Sequence, residues 1–419
     1  MPTADPTPAT RRAVEAVWRI EAARLIAGLA RMVRDVGRAE DLAQDALVAA
    51  LEQWPAAGIP DNPGAWLMTI AKRRAVDGIR REIRLEKNVA ELGRTLETAE
   101  EVEIDIEEHV EDDVLRLMFT ACHPVLTPPA RAALTLKMLA GLRTEEIARA
   151  FLVPTPTMAQ RIVRAKKTLA DARVPFEVPT GAELAPRLAS VLGVLYLLFN
   201  EGYSATAGPD LVRPALCREA MRLGRILTAL ASDEPEAHGL IALMELQASR
   251  LGARTDASGE IVTLLDQDRA RWDQLLIRRG LAALDRAVAL GGGAGRYAVQ
   301  AAIAACHARA RTADETDWGR IAALYAVLAR VAPSPVIELN RAVAVSMADG
   351  PAAALELVDA LVAENALARY HLLPAVRADL LVKLARPDEA RAEFERAAGL
   401  TDNERERDLL LRRATECVS

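Results

Sequence analysis

Apolar residues recur at helical spacing along most of the chain. From Val14 to Trp54 two stripes stand out: Val14, Val17, Trp18, Leu25 and Leu29, then Leu42, Ala46, Leu47, Ala50 and Leu51. The periodicity breaks between Asp35 and Arg38, which predicts two helices. PAAGIPDNPG is a turn signal, and AWLMTIAKRRAVDGIRREIRLEK then resumes the helical period with Trp66, Ile70, Val76 and Ile79 expected inward. A compact bundle of three or four helices is expected over 11–84. Residues 85–112 lose apolar periodicity and read as an acidic linker.

A second helical unit is expected over 113–173. Thr127 opens a helix whose first positions, Pro128 and Pro129, suit a helix start, and Gly141 closes it. Thr144 is placed to cap a short helix, with Glu145 and Glu146 in its positive first turn. LVP makes a turn. Thr155 is then expected to cap a longer helix with Pro156 at its first position. In that helix Met158, Ile162, Ala165 and Leu169 form the buried stripe, and Thr157, Gln160, Arg161, Arg164 and Lys167 form the opposite, basic face. A short helix, a tight turn and a longer helix make a helix-turn-helix, whose second helix enters the DNA major groove. Gln suits adenine, Arg suits guanine, and Arg and Lys suit phosphate.

Beyond the PFEVPTGAEL stretch, residues 180–419 read as Ala- and Leu-rich helices punctuated by Gly, Pro and Asn. MADGPAAALELVDALVAEN and KLARPDEARAEFERAAGLTDN superpose with a shift of 36 residues, which aligns Pro351 with Pro387 and Ala354 with Ala390. That period suggests stacked helix pairs similar to tetratricopeptide repeats.

Composition supports the same class. Hydrophobic residues make up 51% and aromatics only 4%, so helix formers outweigh strand formers and an all-α protein is expected. Cys122, Cys217, Cys306 and Cys417 are far apart and form no CxxC pair, which excludes a zinc ribbon and fits reduced thiols. No signal-peptide core and no run of about 18 uninterrupted apolar residues is present, so a soluble, cytoplasmic protein is expected. The net charge of −6 conceals sorting. Lys72 to Lys87 is rich in Lys and Arg, whereas Glu97 to Asp113 is crowded with carboxylates and holds neither. Cys122 and His123 are adjacent but have no further ligand at metal spacing, and GGGAG at 291–295 lacks the strand and GK of a phosphate loop. No nucleophile and base are paired, so no catalytic site, metal or cofactor is expected.

DLAQDALVAALEQWP, NPGAWLMTIAKRRAVDGIRR, the acidic linker and the helix-turn-helix resemble, in order, regions two and four of the extracytoplasmic-function (ECF) sigma factors. The likeness covers roughly 11–173 and includes a PxxTxxxRxxRA pattern as Pro154, Thr157, Arg161, Arg164 and Ala165. With LLFNEGYSAT and QDRARWD in the extension, the whole chain resembles the ECF subgroup that carries a long C-terminal tetratricopeptide-like domain. The resemblance implies a transcription initiation factor, not an enzyme, that recruits core RNA polymerase through the β′ clamp helices and the β flap and recognises promoter DNA. It assigns Asp41, Gln44, Asp45 and Leu47 to polymerase binding. It assigns Asn62, Lys72, Arg73, Arg74, Arg80 and Arg81 to −10 recognition and melting, and Thr157, Gln160, Arg161, Arg164 and Lys167 to −35 recognition. Trp66 at helical spacing with Ile70 reads as core, which leaves open the residue that holds a flipped base. The acidic stretch is either a phosphate mimic threaded into polymerase or a plain spacer. The extension is expected to contact the sigma domains in cis. The rival readings are a stand-alone helix-turn-helix regulator with a ligand- or peptide-sensing repeat domain, and an enzyme built on that domain.

Overall fold

The computed structural model describes residues 8–90, 110–205, 207–208, 211–256 and 258–417, and at 8–12, 81–90, 110–111 and 207–208 the backbone alone. The linker's acidic centre, the Arg81 side chain and the last two residues lie outside what is described. The chain forms two compact units, Met1–Val194 and Leu195–Ser419.

The first unit is built on α1 (Pro8–Val33), which packs against α2 (Val36–Ala57), α3 (Pro63–Ala90), α4 (Val110–Ala121) and α5 (Pro128–Met138). Val14, Trp18, Ala22, Leu25, Ile26 and Leu29 of α1 are buried at its centre. The predicted break is real: Arg34 takes a left-handed backbone (φ 54°), and the Asp35 carboxylate accepts the Arg38 N–H at 2.9 Å to cap α2. In α3 the inward row differs from expectation. Leu67, Ala71 and Ala75 are buried while Val76 is exposed, because the small alanines permit close approach and Val76 lies one position, about 100°, further round the helix. Trp66 is half-buried and packs edge-on against Trp54 with ring centroids 5.4 Å apart.

After α5 come α6 (Thr144–Ala150) and α7 (Thr155–Asp171). Thr144 and Thr155 are first helical residues rather than caps. Arg143 occupies the N-cap of α6 and the Glu146 carboxylate reaches back to its N–H at 2.9 Å, while Pro154 precedes α7. The helix α8 (Leu184–Tyr203) straddles the division between units. Its first turns are tied to the first unit: Arg187 donates to the Phe119 carbonyl at 3.0 Å, and Ser190 donates to the Cys122 carbonyl and accepts from Arg131. By length and composition α8 is apolar enough to cross a membrane, with a mean hydropathy of 1.5. Leu188, Val191, Leu192, Leu195, Leu198 and Phe199 form its buried side, while Leu197 is exposed.

The second unit continues with α9 (Pro214–Leu230), α10 (Pro235–Ala248), α11 (Gln274–Ala289), α12 (Arg296–Arg309), α13 (Trp318–Val331), α14 (Pro335–Ala348), α15 (Pro351–Ala363), α16 (Leu372–Lys383), α17 (Pro387–Ala398) and α18 (Glu404–Glu416). From α12 onward each helix packs on the next. Pro351 and Pro387 open α15 and α17, and Ala354 and Ala390 are fully buried at matching positions, so the 36-residue shift corresponds to a structural repeat. The end of the array returns to its start. A two-residue parallel pairing joins Ala207–Gly208 to Asp402–Asn403, the Asn403 amide donates to the Ala205 carbonyl at 3.1 Å, and Arg405 and Arg412 both reach Glu260. In QDRARWD the polar side chains serve the backbone. Asp268 and Asp273 cap helical turns, and buried Arg269 donates to the His307 and Ala310 carbonyls and to the Thr316 hydroxyl.

Candidate nucleic-acid interface

The helix-turn-helix follows from three local features. The α6 helix is short, Leu152 turns the chain with φ 50°, and α7 buries Met158, Ile162, Ala165 and Leu169, the row its spacing predicts. The opposite face is open. Thr157, Gln160, Arg164 and Lys167 are exposed and Arg161 is half-buried. Among the described residues no carboxylate pairs with Arg161, Arg164 or Lys167, so three cations and two polar groups face solvent uncompensated. That arrangement attracts phosphate and leaves amide and guanidinium groups free for base edges.

On α3, Arg73, Arg74 and Arg80 are exposed and Lys72 is half-buried. Arg74 lies 3.3 Å from Asp45 of α2, a solvent-reached pair that partly neutralises it. Asn62 serves the helix itself, because its side-chain carbonyl oxygen accepts the Ala65 N–H at 3.0 Å at the start of α3. The basic run therefore gathers on one helix, with Asn62 at its head holding the first turn.

On α2, Asp41 and Asp45 are exposed, and Gln44 and Leu47 are half-buried. Each polar member is engaged. Lys166 of α7 contacts Asp41 at 2.9 Å and also Glu40, Gln44 donates to Glu40, and Asp45 faces Arg74. Leu47 opens onto a cleft of about 550 Å³ lined also by Val48, Leu51, Lys137, Leu142 and Glu145. Glu40, whose side chain is 3% exposed, is the residue that sequence reasoning passes over. It falls on the row of buried Val36, Ala39, Ala43 and Ala46, and a carboxylate on an inward row requires a buried cation. Lys166 and Lys137 supply it. Burial opposes the charge on Lys166, but the Glu40 and Asp41 carboxylates outweigh it and hold the ammonium above the ordinary lysine pKa.

Other candidates are structural. The Cys122 thiol is buried beside the Thr135 hydroxyl, and burial pushes its pKa up to about 11, away from reactivity. No group of three His, Cys, Asp or Glu side chains among the described residues could hold a metal. In LLFNEGYSAT, Tyr203 lies between Phe199, at 5.8 Å, and the Arg254 guanidinium, 4.0 Å from its ring centre.

Similar proteins share these elements. Residues 20–84 match the sigma-70 region 2 model and 116–169 the sigma-70 region 4 model, so α7 lies in region 4 and α2 and most of α3 in region 2. Residues 187–288 match a family of unknown function, DUF6596. An uncharacterised protein of Rhizobium meliloti is 44% identical over 387 residues, 90% of this chain and 89% of that one. The probable ECF RNA polymerase sigma factor SigI of Mycobacterium tuberculosis is 28% identical over 39% of this chain and 57% of its own length. The ECF RNA polymerase sigma factor SigK of Mycobacterium sp. (strain KMS) is 29% identical over 33% of this chain and 72% of its own. Two sigma regions in order, the free basic face of α7 and these relatives lead to one conclusion: the chain belongs to the ECF RNA polymerase sigma factors and carries a long helical extension after region 4.

Proposed function

We propose that this sigma factor recruits core RNA polymerase through Asp41, Gln44, Asp45 and Leu47 of α2, reads and melts the −10 element with the basic face of α3, and reads the −35 element with Thr157, Gln160, Arg161, Arg164 and Lys167 of α7. The observation that carries the reading is the unpaired cationic face of α7 directly opposite its buried stripe. The extension regulates initiation in cis, and residues 180–419 form its tetratricopeptide-like scaffold. Repeat arrays present long surfaces suited to such contact.

Run-off transcription with core polymerase and genomic fragments tests this. The expected result is a set of discrete transcripts that require the protein and vanish when Arg161 and Arg164 are both changed to Ala. A protein that binds duplex DNA yet never binds core polymerase would instead be the stand-alone helix-turn-helix regulator.

A further inference from the structure

The second unit gathers polar groups that its own chain leaves unpaired. Tyr196 and Tyr203 of α8, Tyr325 of α13 and Tyr370 just before α16 are half-buried, as are Arg250 and Arg254, which follow α10. Arg250 lies 5.5 Å and Arg254 4.0 Å from the Tyr203 ring centre. Arg250 is also within electrostatic reach of Tyr325, and Tyr196 within reach of both Tyr325 and Tyr370. The two arginines are held differently. Arg254 donates to the Tyr203 carbonyl and feels the Glu406 carboxylate, which is itself engaged by His371 at 3.1 Å and Thr401 at 2.9 Å. Arg250 has only the ring: among the described residues its side chain has no hydrogen bond and no carboxylate, and Arg254 and Arg269 are near enough to oppose its charge. A ring satisfies the face of a guanidinium but none of the N–H donors at its edge. The tyrosines are open as well. Tyr196 donates to Gln300 at 3.0 Å, but the hydroxyls of Tyr203, Tyr325 and Tyr370 have no hydrogen-bond partner among the described residues, and unlike that of Tyr297 they are not sealed from solvent. Burial nonetheless pushes the Tyr325 pKa up to about 12, which marks a recess rather than an open surface.

We propose that the extension binds a small organic anion, a planar ring carrying one acidic group, with Arg250 as its anchor. Polar groups converging on an aromatic wall are what orient a ligand in such a site. The free edge of Arg250 receives the acid oxygens, the Tyr325 hydroxyl donates beside it, and the ring lies among the tyrosine faces. One uncommitted guanidinium matches one negative charge, so a carboxylate suits the site better than a doubly charged phosphate. The ligand also offsets the mutual repulsion of Arg250, Arg254 and Arg269, and therefore stabilises the unit that holds it. This inference is independent of the polymerase and promoter assignments.

The test uses the full-length chain with benzoate, its neutral counterpart benzamide, phenyl phosphate and inorganic phosphate as probes. Saturation-transfer NMR should show saturable binding of benzoate in the millimolar range and none of benzamide or inorganic phosphate. Arg250→Gln should weaken benzoate by at least about ten-fold, the worth of one charge-assisted hydrogen bond. Tyr325→Phe, which removes only a hydroxyl, should weaken it a few-fold. Phenyl phosphate bound more tightly than benzoate would keep the anchored ring and identify the acid as a phosphate monoester. Calorimetry without any probe supplies a second readout: Arg250→Met removes an unpaired cation, so the second unit should melt at the parental temperature or above it. No saturable binding of either organic acid, benzamide bound as well as benzoate, inorganic phosphate bound as well as phenyl phosphate, or parental affinity in Arg250→Gln overturns the proposal. So does an Arg250→Met protein whose second unit melts earlier, since Arg250 would then be a structural support.

Discussion

Trp18 donates its indole N–H to the carbonyl oxygen of Gly141 across 123 positions of sequence, a buried bond of 3.0 Å that joins α1 of region 2 to the turn entering the helix-turn-helix. Gly141 can offer that carbonyl because it takes φ +63°, and a Cβ there would meet Ala22 at 3.1 Å and Trp18 Nε1 at 3.2 Å. Trp18→Phe keeps most of the ring but strands a buried carbonyl, which should cost about 1–2 kcal/mol in urea unfolding. Gly141→Ala adds left-handed strain to crowding and should cost more, about 2–3 kcal/mol. Two variants within about 0.5 kcal/mol of the parent would mean the contact does not hold this seam.

Asp113 is the second anchor. Its side chain is fully buried, with Arg116 at 2.6 Å and Arg31 at 3.4 Å. Asp113→Asn leaves two guanidinium groups facing a neutral amide. Loss of one member of a buried ion pair costs about 3–5 kcal/mol, and partial solvent access to both arginines lowers the expectation to roughly 2–3 kcal/mol. Calorimetry of the full chain should show the first unit melting earlier while the second is unchanged.

On the recognition face, Arg164→Ala and Arg161→Ala should both weaken binding to duplex −35 DNA and leave folding intact, since neither side chain has an ion-pair partner within the described residues. A lost phosphate contact should lower the salt slope by about one unit, whereas a lost base contact should cost about 1–3 kcal/mol and relax sequence preference. Fluorescence anisotropy at several salt concentrations separates the two. Unchanged affinity and specificity for both variants would place the DNA-reading face elsewhere.

The helices that pack by a clean apolar row can be read from the chain. The Met158, Ile162, Ala165 and Leu169 stripe appears in the structure residue for residue, because spacings of four, three and four keep these apolar groups on one side of α7. In α3 the sequence pattern favours Val76 over Ala75, since size marks a core residue in sequence whereas close helix contact favours the smaller one. Long-range polar contacts are not legible. Glu40 looks like any helix-surface acid until Lys166, 126 positions away, is brought to it. The return of Asn403 to Ala205 spans 198 positions and has no local signal at all. PFEVPTGAEL reads as a boundary, yet Arg187 and Ser190 just beyond it bond to carbonyls before it, so cutting the chain at residue 178 would remove supports of region 4 along with the extension.

The extension should lose stability in mild acid because of His307. The imidazole is 8% exposed, edge-on to Trp318 at 5.2 Å, and its Nδ1 has no hydrogen-bond partner. Burial, with the positive charges of Arg250 and Arg269 added, lowers its pKa to about 3 from an ordinary value of 6.5. Above pH 6.5 the ring is neutral whether folded or unfolded and contributes no pH dependence. Between 6.5 and 3 the unfolded chain takes up a proton that the folded chain refuses, so stability falls as pH falls, by up to about 1.4 kcal/mol per unit. Moving from about pH 7 to about pH 5 should therefore cost the extension about 2 kcal/mol. His307→Gln cannot take up that proton, so its stability, whatever its absolute value, should change much less across the same interval. Denaturant-dependent hydrogen exchange of the α12 peptides at both pH values, in full-length protein, reads the difference directly. Parallel pH dependence in the two proteins would show that the acid sensitivity of this unit, if any, arises from another group.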